Sequence, residues 1–233
     1  MPAHGSHRPA QAVLFDFHGT LAQVEDPVAW VLAAARSRGS PLSRIRATGL
    51  ADRLVTAGRA GGPLPGRVPV HLAQAWADRD LRADAHRAAY TGLAATVDQG
   101  LAEALYARVT RPEGWALYAD TACALRALRA AGVPVAVVSN IGFDLRPLFA
   151  AWDLTGLVDA FVLSYEVGRC KPDPAIFALA CDALGVAPAR ALMVGDTPAD
   201  AGAVAAGCAT LVLPAAPPGG VNCLAAAVTL AGV

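Results

Sequence analysis

The sequence predicts an α/β fold, a doubly wound parallel sheet with an all-helical domain inserted near its start. Three observations predict it. The apolar run Ala12 to Phe15 breaks into a polar turn at Asp16, as a central parallel strand buried on both faces does. From Pro27 to about Arg111 the pattern is helical, with no strand pattern of comparable strength. After Gly114, apolar strand runs and helical segments alternate, which is the signature of a Rossmann-like core with helices on both faces.

Each element has its own signal. "DPVAWVLAAARSRG" carries Asp26 as an N-cap, Pro27 at the first helical position and Gly39 as a stop. A second helix is predicted over Ser43 to Ala57, followed by the loop "AGGPLPG", Ala60 to Gly66. Helical sequence resumes near Val70 and runs to Val109, with breaks expected around Gly92 and Gly100. "DTACALRALRAAG" reads as a helix capped by Asp120 and ended by Gly132. "VPVAVVSN" is a buried strand ending at Ser139-Asn140, and "DLRPLFAAW" a short helix. There follow the strand "AFVLS", the helix "DPAIFALACDALG", the strand "ALMVGD", the helix "PADAGAVAAG" and the strand "ATLVLP". The core therefore takes residues 10–22 and 112–233, and the helical insertion residues 23–111.

Composition narrows the function classes. The 233 residues are 55% apolar and 16% charged, as a packed globular core requires. Net charge is zero, so neither nucleic acid nor an anionic membrane is favoured as a partner. The five cysteines show no CxxC spacing and read as reduced thiols, which predicts a cytoplasmic protein. His4, His7 and Arg8 are not followed by a long apolar segment, so no signal peptide is expected. No charged residue follows Asp200, but "PAAPPGG", Pro214 to Gly220, divides that tail into pieces too short for a bilayer. A strand, a turn and a packed helix are expected there instead.

In doubly wound sheets, ligands bind at the carboxyl ends of the strands. Four predicted strands end in or lead to reactive groups: Asp16 with Thr20, Ser139 with Asn140, Lys171, and Asp196 with Asp200. Any one of them alone is a turn or cap residue. Together, in this order at one sheet edge, they make a phosphoryl-transfer site. A carboxylate such as Asp16 can form a covalent intermediate with an electrophile, and a cation such as Mg²⁺ on Asp16 and Asp196 would cancel the repulsion between two anions. Lys171, the only lysine among 19 Lys and Arg residues, and the Ser139 hydroxyl can hold the equatorial oxygens. Loop amides around Gly19-Thr20 add donors.

These motifs resemble those of the haloacid dehalogenase-like hydrolase superfamily, in the subgroup whose helical (C1-type) cap follows the first motif. "DFHGT" is similar to that family's first motif, DxDGT, and Ser139 in "VVSN" to the second. Lys171 in "KPDP" matches the third, and "GDTPAD", Gly195 to Asp200, the fourth. The resemblance covers nearly the whole chain. It implies a Mg²⁺-dependent hydrolase that acts on a small phosphomonoester through an aspartyl-phosphate on Asp16. By it, Thr20, Ser139, Asn140 and Lys171 bind the transferring group, and Thr20 also helps hold the first loop. The metal would sit on Asp16, the backbone carbonyl of His18 and Asp196, with Asp200 in its outer shell.

Family dehalogenases lack the fourth-motif metal aspartate and tend to carry a tyrosine after the motif lysine, where this chain has Asp196 and Phe177. Family phosphonatases need a second lysine, which is absent. The main departure is His18, where family phosphatases carry the aspartate that protonates the leaving group and activates water. Three readings follow: imidazole replaces the aspartate, the acid–base role has weakened, or the chain does different chemistry or none. The alternatives to a phosphatase are therefore a metal-independent carbon–halogen hydrolase and a weakened binding or regulatory member. The insertion is expected to close over the site and choose the substrate, with Arg36, Arg44, Arg46, Arg53 and Arg59 as candidates for a second anion clamp. Trp30, Trp76 and Tyr90 are expected in the core of the insertion.

Overall fold

A computed structural model describes residues 9–233, so His4, His7 and Arg8 lie outside the described residues. In chain order the strands are β1 (Ala12–Phe15), β2 (Ala22–Val24), β3 (Trp115–Leu117), β4 (Val135–Ser139), β5 (Ala160–Leu163), β6 (Ala191–Gly195) and β7 (Ala209–Val212). Five of them form a parallel sheet in the order β5-β4-β1-β6-β7. β1 is central, with Val13 in register with Val135 on one side and Leu192 on the other. Side chains alternate across a strand, so Val13 and Phe15 feed one apolar cluster while Leu14 feeds the other. Both faces of β1 are thus buried, which explains its unbroken apolar sequence.

The helices are α1 (Pro27–Ser37), α2 (Arg44–Ala57), α3 (Ala73–Asp78), α4 (Ala83–Ala95), α5 (Ala102–Ala107), α6 (Thr121–Ala130), α7 (Arg146–Ala151), α8 (Ser164–Val167), α9 (Pro174–Leu184) and α10 (Ala225–Leu230). α6 and α10 pack on the face of Val13 and Phe15, and α9 on the face of Leu14, where Phe177 is wholly buried. α1 starts as its sequence dictates: Asp26 accepts hydrogen bonds from the amides of Val28 (2.9 Å) and Ala29 (3.0 Å). Trp30 on α1 is buried and donates Nε1–H to the Leu105 carbonyl (3.1 Å), which ties α1 to α5. No helix among the described residues is long and apolar enough to cross a membrane.

Four local features differ from the sequence expectations. β2 and β3 pair antiparallel at the two points where the chain enters and leaves the helical segment. At three residues each, they are too short to show a period-2 pattern. α4 runs straight through Gly92, because a Cβ there would lie 2.5 Å from Leu72 and the glycine serves packing. The chain instead breaks between α3 and α4, at Arg79 to Arg82. The segment after Asp196 is a 3₁₀ helix, Asp200–Ala206, in which Gly202 packs against Pro172 so closely that a Cβ would meet its backbone carbonyl at 2.6 Å. Finally, Asp120 precedes α6 without capping it; its carboxylate accepts the amides of Asn222 (2.9 Å) and Leu224 (2.8 Å) instead.

Candidate active site

The parallel sheet brings the sequence-selected groups to one edge. Asp16 follows β1, and its amide donates to the Val194 carbonyl of β6 (2.9 Å), which fixes the backbone at the point where the strand ends. Its carboxylate is buried and accepts from Lys171 Nζ at 2.6 Å. The same ammonium donates to Asp200 Oδ1, also at 2.6 Å. Asp200 Oδ2 accepts the Thr197 amide (3.0 Å) and hydroxyl (2.7 Å), so both of its oxygens are occupied.

The electrostatics follow from those contacts. Burial works against a charged Lys171, but the carboxylates of Asp16 and Asp200 outweigh it and hold the ammonium protonated. Burial likewise pushes Asp200 up, and is outweighed by Lys171 and the Thr197 donors, which keep it below the usual carboxylate range. Burial pushes Asp16 up against the pull of Lys171. Among the described residues, no cation pairs with Asp196 directly. Burial first, then the neighbouring charges of Asp16 and Asp200, push it up to about 7, with Lys171 offsetting this in part.

Ligand oxygens of Asp16, Asp196 and Asp200 lie within 4.8 Å of one another. Asp196 Oδ1 is buried and has no hydrogen-bond partner among the described residues. A Cβ at Gly19, whose φ is +83°, would overlap Asp196 Oδ2, so the first loop closes over this carboxylate only because residue 19 is glycine. Three clustered carboxylates, one ammonium and an orphaned buried oxygen fit a hard divalent cation with oxygen ligands. Thr20 Oγ1 is also buried without a partner, and Ser139 is the buried last residue of β4.

Asn140, expected to bind phosphate, lines the cavity, and its side chain is turned to Lys171. Its Nδ2 donates to the Lys171 carbonyl (2.9 Å) and its Oδ1 accepts the Lys171 amide (2.7 Å). Both ends of the amide are taken up in holding the lysine's backbone.

His18 sits in the turn after Asp16. One ring nitrogen, Nε2, is 2.5 Å from Gln23 Oε1, and the ring stands edge-on to Trp115 at 5.7 Å. Gly61 of the insertion covers it, since a Cβ there would lie 3.1 Å from Nε2. Burial lowers the pKa of His18; Asp16 and Gln23 oppose this, and Arg59 reinforces it. Beyond His18 opens a cavity of about 190 Å³, walled by Arg79, Asp80, His86, Tyr90, Phe143 and Trp115 among others. Arg79 stacks on Trp76 (4.1 Å), donates to the Trp76 carbonyl (2.7 Å) and pairs with Asp80 (3.2 Å). His86 Nδ1 is 3.0 Å from the Tyr106 hydroxyl, and burial takes its pKa down to about 4, with Arg79 adding to the shift.

Of the arginines singled out in the insertion, Arg36, Arg44, Arg46 and Arg53 are exposed on their helices. Arg59 is buried against Trp30 and donates to the Glu25 carbonyl (2.9 Å). The arginine on the cavity wall is Arg79, which sequence reasoning missed; its signal was the polar break "DRDL" in an alanine-rich stretch. Gln23 was missed as well, and only its nearness in sequence to His18 pointed to it. Trp30 is core, as expected, whereas Tyr90 lines the cavity.

Comparison with known proteins decides the family. The family profile of the haloacid dehalogenase-like hydrolases matches residues 10–207. The chain belongs to that family. It is 37% identical over 99 residues to the phosphoserine phosphatase of Thermus thermophilus, across 42% of this chain and 39% of that protein. It is 36% identical over 90 residues to (S)-2-haloacid dehalogenase 1 of a Pseudomonas species, across 38% of this chain and 40% of that protein. The matches span about two-fifths of the length of these curated relatives. A crystal structure of a dehalogenase superposes with a TM-score of 0.64 at 25% identity, over 97% of each chain. This haloacid dehalogenase-like hydrolase thus has relatives named for phosphate and for halide chemistry alike.

Proposed function

We propose that this hydrolase cleaves small phosphomonoesters, with Asp16 as nucleophile and Mg²⁺ as cofactor. The observation that carries the reading is Asp196 Oδ1, buried and unpartnered beside two carboxylates that already share Lys171. Asp16, Asp196 and the His18 backbone carbonyl would hold the cation, with Asp200 supporting them. Bound there, it would offset the repulsion between the carboxylate nucleophile and a phosphate dianion.

The chain's own groups do the rest. An Asp16 oxygen bonds to phosphorus as the bond from phosphorus to the leaving oxygen breaks, giving an aspartyl-phosphate and an alkoxide or phenolate that takes its proton from solvent. Lys171, Ser139 and Thr20 hold the non-bridging oxygens, and Asn140 keeps the Lys171 backbone in place. Water then attacks phosphorus and frees Asp16. His18 moves the proton in place of the usual aspartate. Burial favours its neutral form, so it is better equipped to take a proton from water than to give one to a poor leaving group. Esters of acidic alcohols and phenols are therefore the better substrates.

The helical insertion, residues 23–111, acts as the cap that selects the substrate. Arg79 suits a carboxylate on the leaving group, and both named relatives act on molecules that carry one: phosphoserine and a 2-haloacid. The five free thiols suit a cytoplasmic location.

A second reading, carbon–halogen hydrolysis on Asp16, draws on the dehalogenase relative and on the missing carboxylate at position 18. A single turnover in H₂¹⁸O, with enzyme in excess, separates the two. With 4-nitrophenyl phosphate, water attacks phosphorus and the label leaves in phosphate. With 2-chloropropionate, the second reading has water attack the Asp16 ester carbonyl, which would place the label in the peptide containing Asp16.

A further inference from the structure

The uncharged tail contains a buried polar residue that the reaction scheme leaves unused. Asn222 is 2% exposed. Its Nδ2 donates to two successive carbonyls of the nucleophile loop, Gly19 (3.1 Å) and Thr20 (2.9 Å). Its Oδ1 accepts the Ala216 amide (3.0 Å), so one side chain joins the tail to the loop across about 200 residues of sequence. The next loop carbonyl, Leu21, accepts from the Thr121 hydroxyl (2.6 Å) and the Tyr118 amide (3.2 Å).

The tail is itself anchored. Asp120 accepts the amides of Asn222 and Leu224, one on each carboxylate oxygen. Both amides reach it because Cys223, between them, adopts a left-handed backbone (φ +59°) that non-glycine residues rarely accept. Cys223 is exposed, so its own packing does not explain the conformation; the two bonds to Asp120 do. Tyr118 donates its hydroxyl to the Ala216 carbonyl (2.9 Å), and the Ala119 amide donates to Gly220 (2.8 Å).

We infer that Asn222 is a positioning residue for the loop that follows Asp16, and that the C-terminal tail acts on the reaction through it. Gly19, whose carbonyl Asn222 holds, packs so closely on Asp196 that a Cβ would lie 2.2 Å from its Oδ2, so the loop's position bears directly on that carboxylate. Small errors in such a placement cost rate more than substrate binding. The effect on turnover rests on the proposed role of Asp16; the effect on the loop does not.

The test compares wild type with Asn222→Asp, Asn222→Ala and Ala227→Gly. The last destabilises the buried face of α10 without touching the loop. Hydrogen exchange across residues 17–22, the melting temperature, and kcat and KM for 4-nitrophenyl phosphate with Mg²⁺ are measured on each. Both Asn222 variants should speed exchange in the loop and lower kcat by about 10- to 100-fold, with KM within about threefold of wild type. Ala227→Gly should lower the melting temperature while leaving loop exchange and kcat near wild type. Asp120→Asn, which loosens the tail from outside the loop, should shift exchange the same way by less. Wild-type loop exchange in both Asn222 variants would overturn the inference, as would an equal loss of kcat in Ala227→Gly. If wild type releases no phosphate, the proposed function fails, and loop exchange alone still decides the role of Asn222.

Discussion

The two walls of the site are built on opposite plans. At the sheet edge, Asp16, Lys171 and Asp200 are buried and share hydrogen bonds of 2.6 Å, with Asp196 beside them. The facing wall carries one half-buried ion pair, Arg79–Asp80, among neutral or aromatic groups such as His86, Tyr90 and Trp115. Each charged group at the sheet edge depends on the next, so a single change there should disable the chemistry. On the proposed roles, single changes on the facing wall should alter which molecule enters and leave the chemistry in place. On those roles, the charged edge would carry the reaction and the wall around Arg79 and Asp80 the selection.

That contrast can be broken at graded cost. Removing the cation with EDTA should abolish phosphate release, by about 10³-fold or more, and added Mg²⁺ should restore it. A rate unchanged by chelation would remove the reason for the Asp196 cluster. His18→Ala, at the seam between the walls, should lower kcat by roughly 10²-fold. A parallel series of phenyl phosphates should show the deficit at every leaving group, because water activation is the step lost. On the facing wall, Arg79→Ala should raise KM by about tenfold for esters bearing a carboxylate and hardly affect 4-nitrophenyl phosphate. An equal effect on both substrates would place Arg79 in the fold and not in selection.

A separate effect, read in stability and not in rate, concerns His86. Burial holds His86 at about 4 in the folded chain, below its ordinary 6.5. As pH falls through that window the unfolded chain takes up the proton first, so stability falls. The loss from pH 6.5 to pH 4 should be about 3 kcal/mol from this residue. Denaturant unfolding of His86→Gln across that range should give a shallower slope than wild type.

Much of the sheet edge was legible because Asp16, Ser139 and Asp196 lie at the ends of apolar strand runs and Lys171 is the only lysine in the sequence. Asp16, Ser139, Lys171 and Asp196 needed no knowledge of distant contacts. The facing wall was not legible in the same way. Arg79 looks like any helix-flanking arginine until the break between α3 and α4 brings it to the cavity. Asn140, placed after β4 where a ligand contact is expected, lines the cavity, but only the fold shows that its side-chain amide grips the Lys171 backbone. Asp120 carries a helix-capping signal in sequence, yet the folded tail claims its carboxylate. β2 and β3 escaped because three residues cannot display a period. Short-range signals gave the strands and their ends; side chains recruited across the chain needed the fold.

The most direct measurement of the central claim is phosphate release from 4-nitrophenyl phosphate with excess Mg²⁺, with wild type and Asp16→Asn compared side by side. Wild type should turn over, and Asp16→Asn should keep its fold while losing release to background. Release by Asp16→Asn at the wild-type rate would contradict the assignment of Asp16 as the nucleophile.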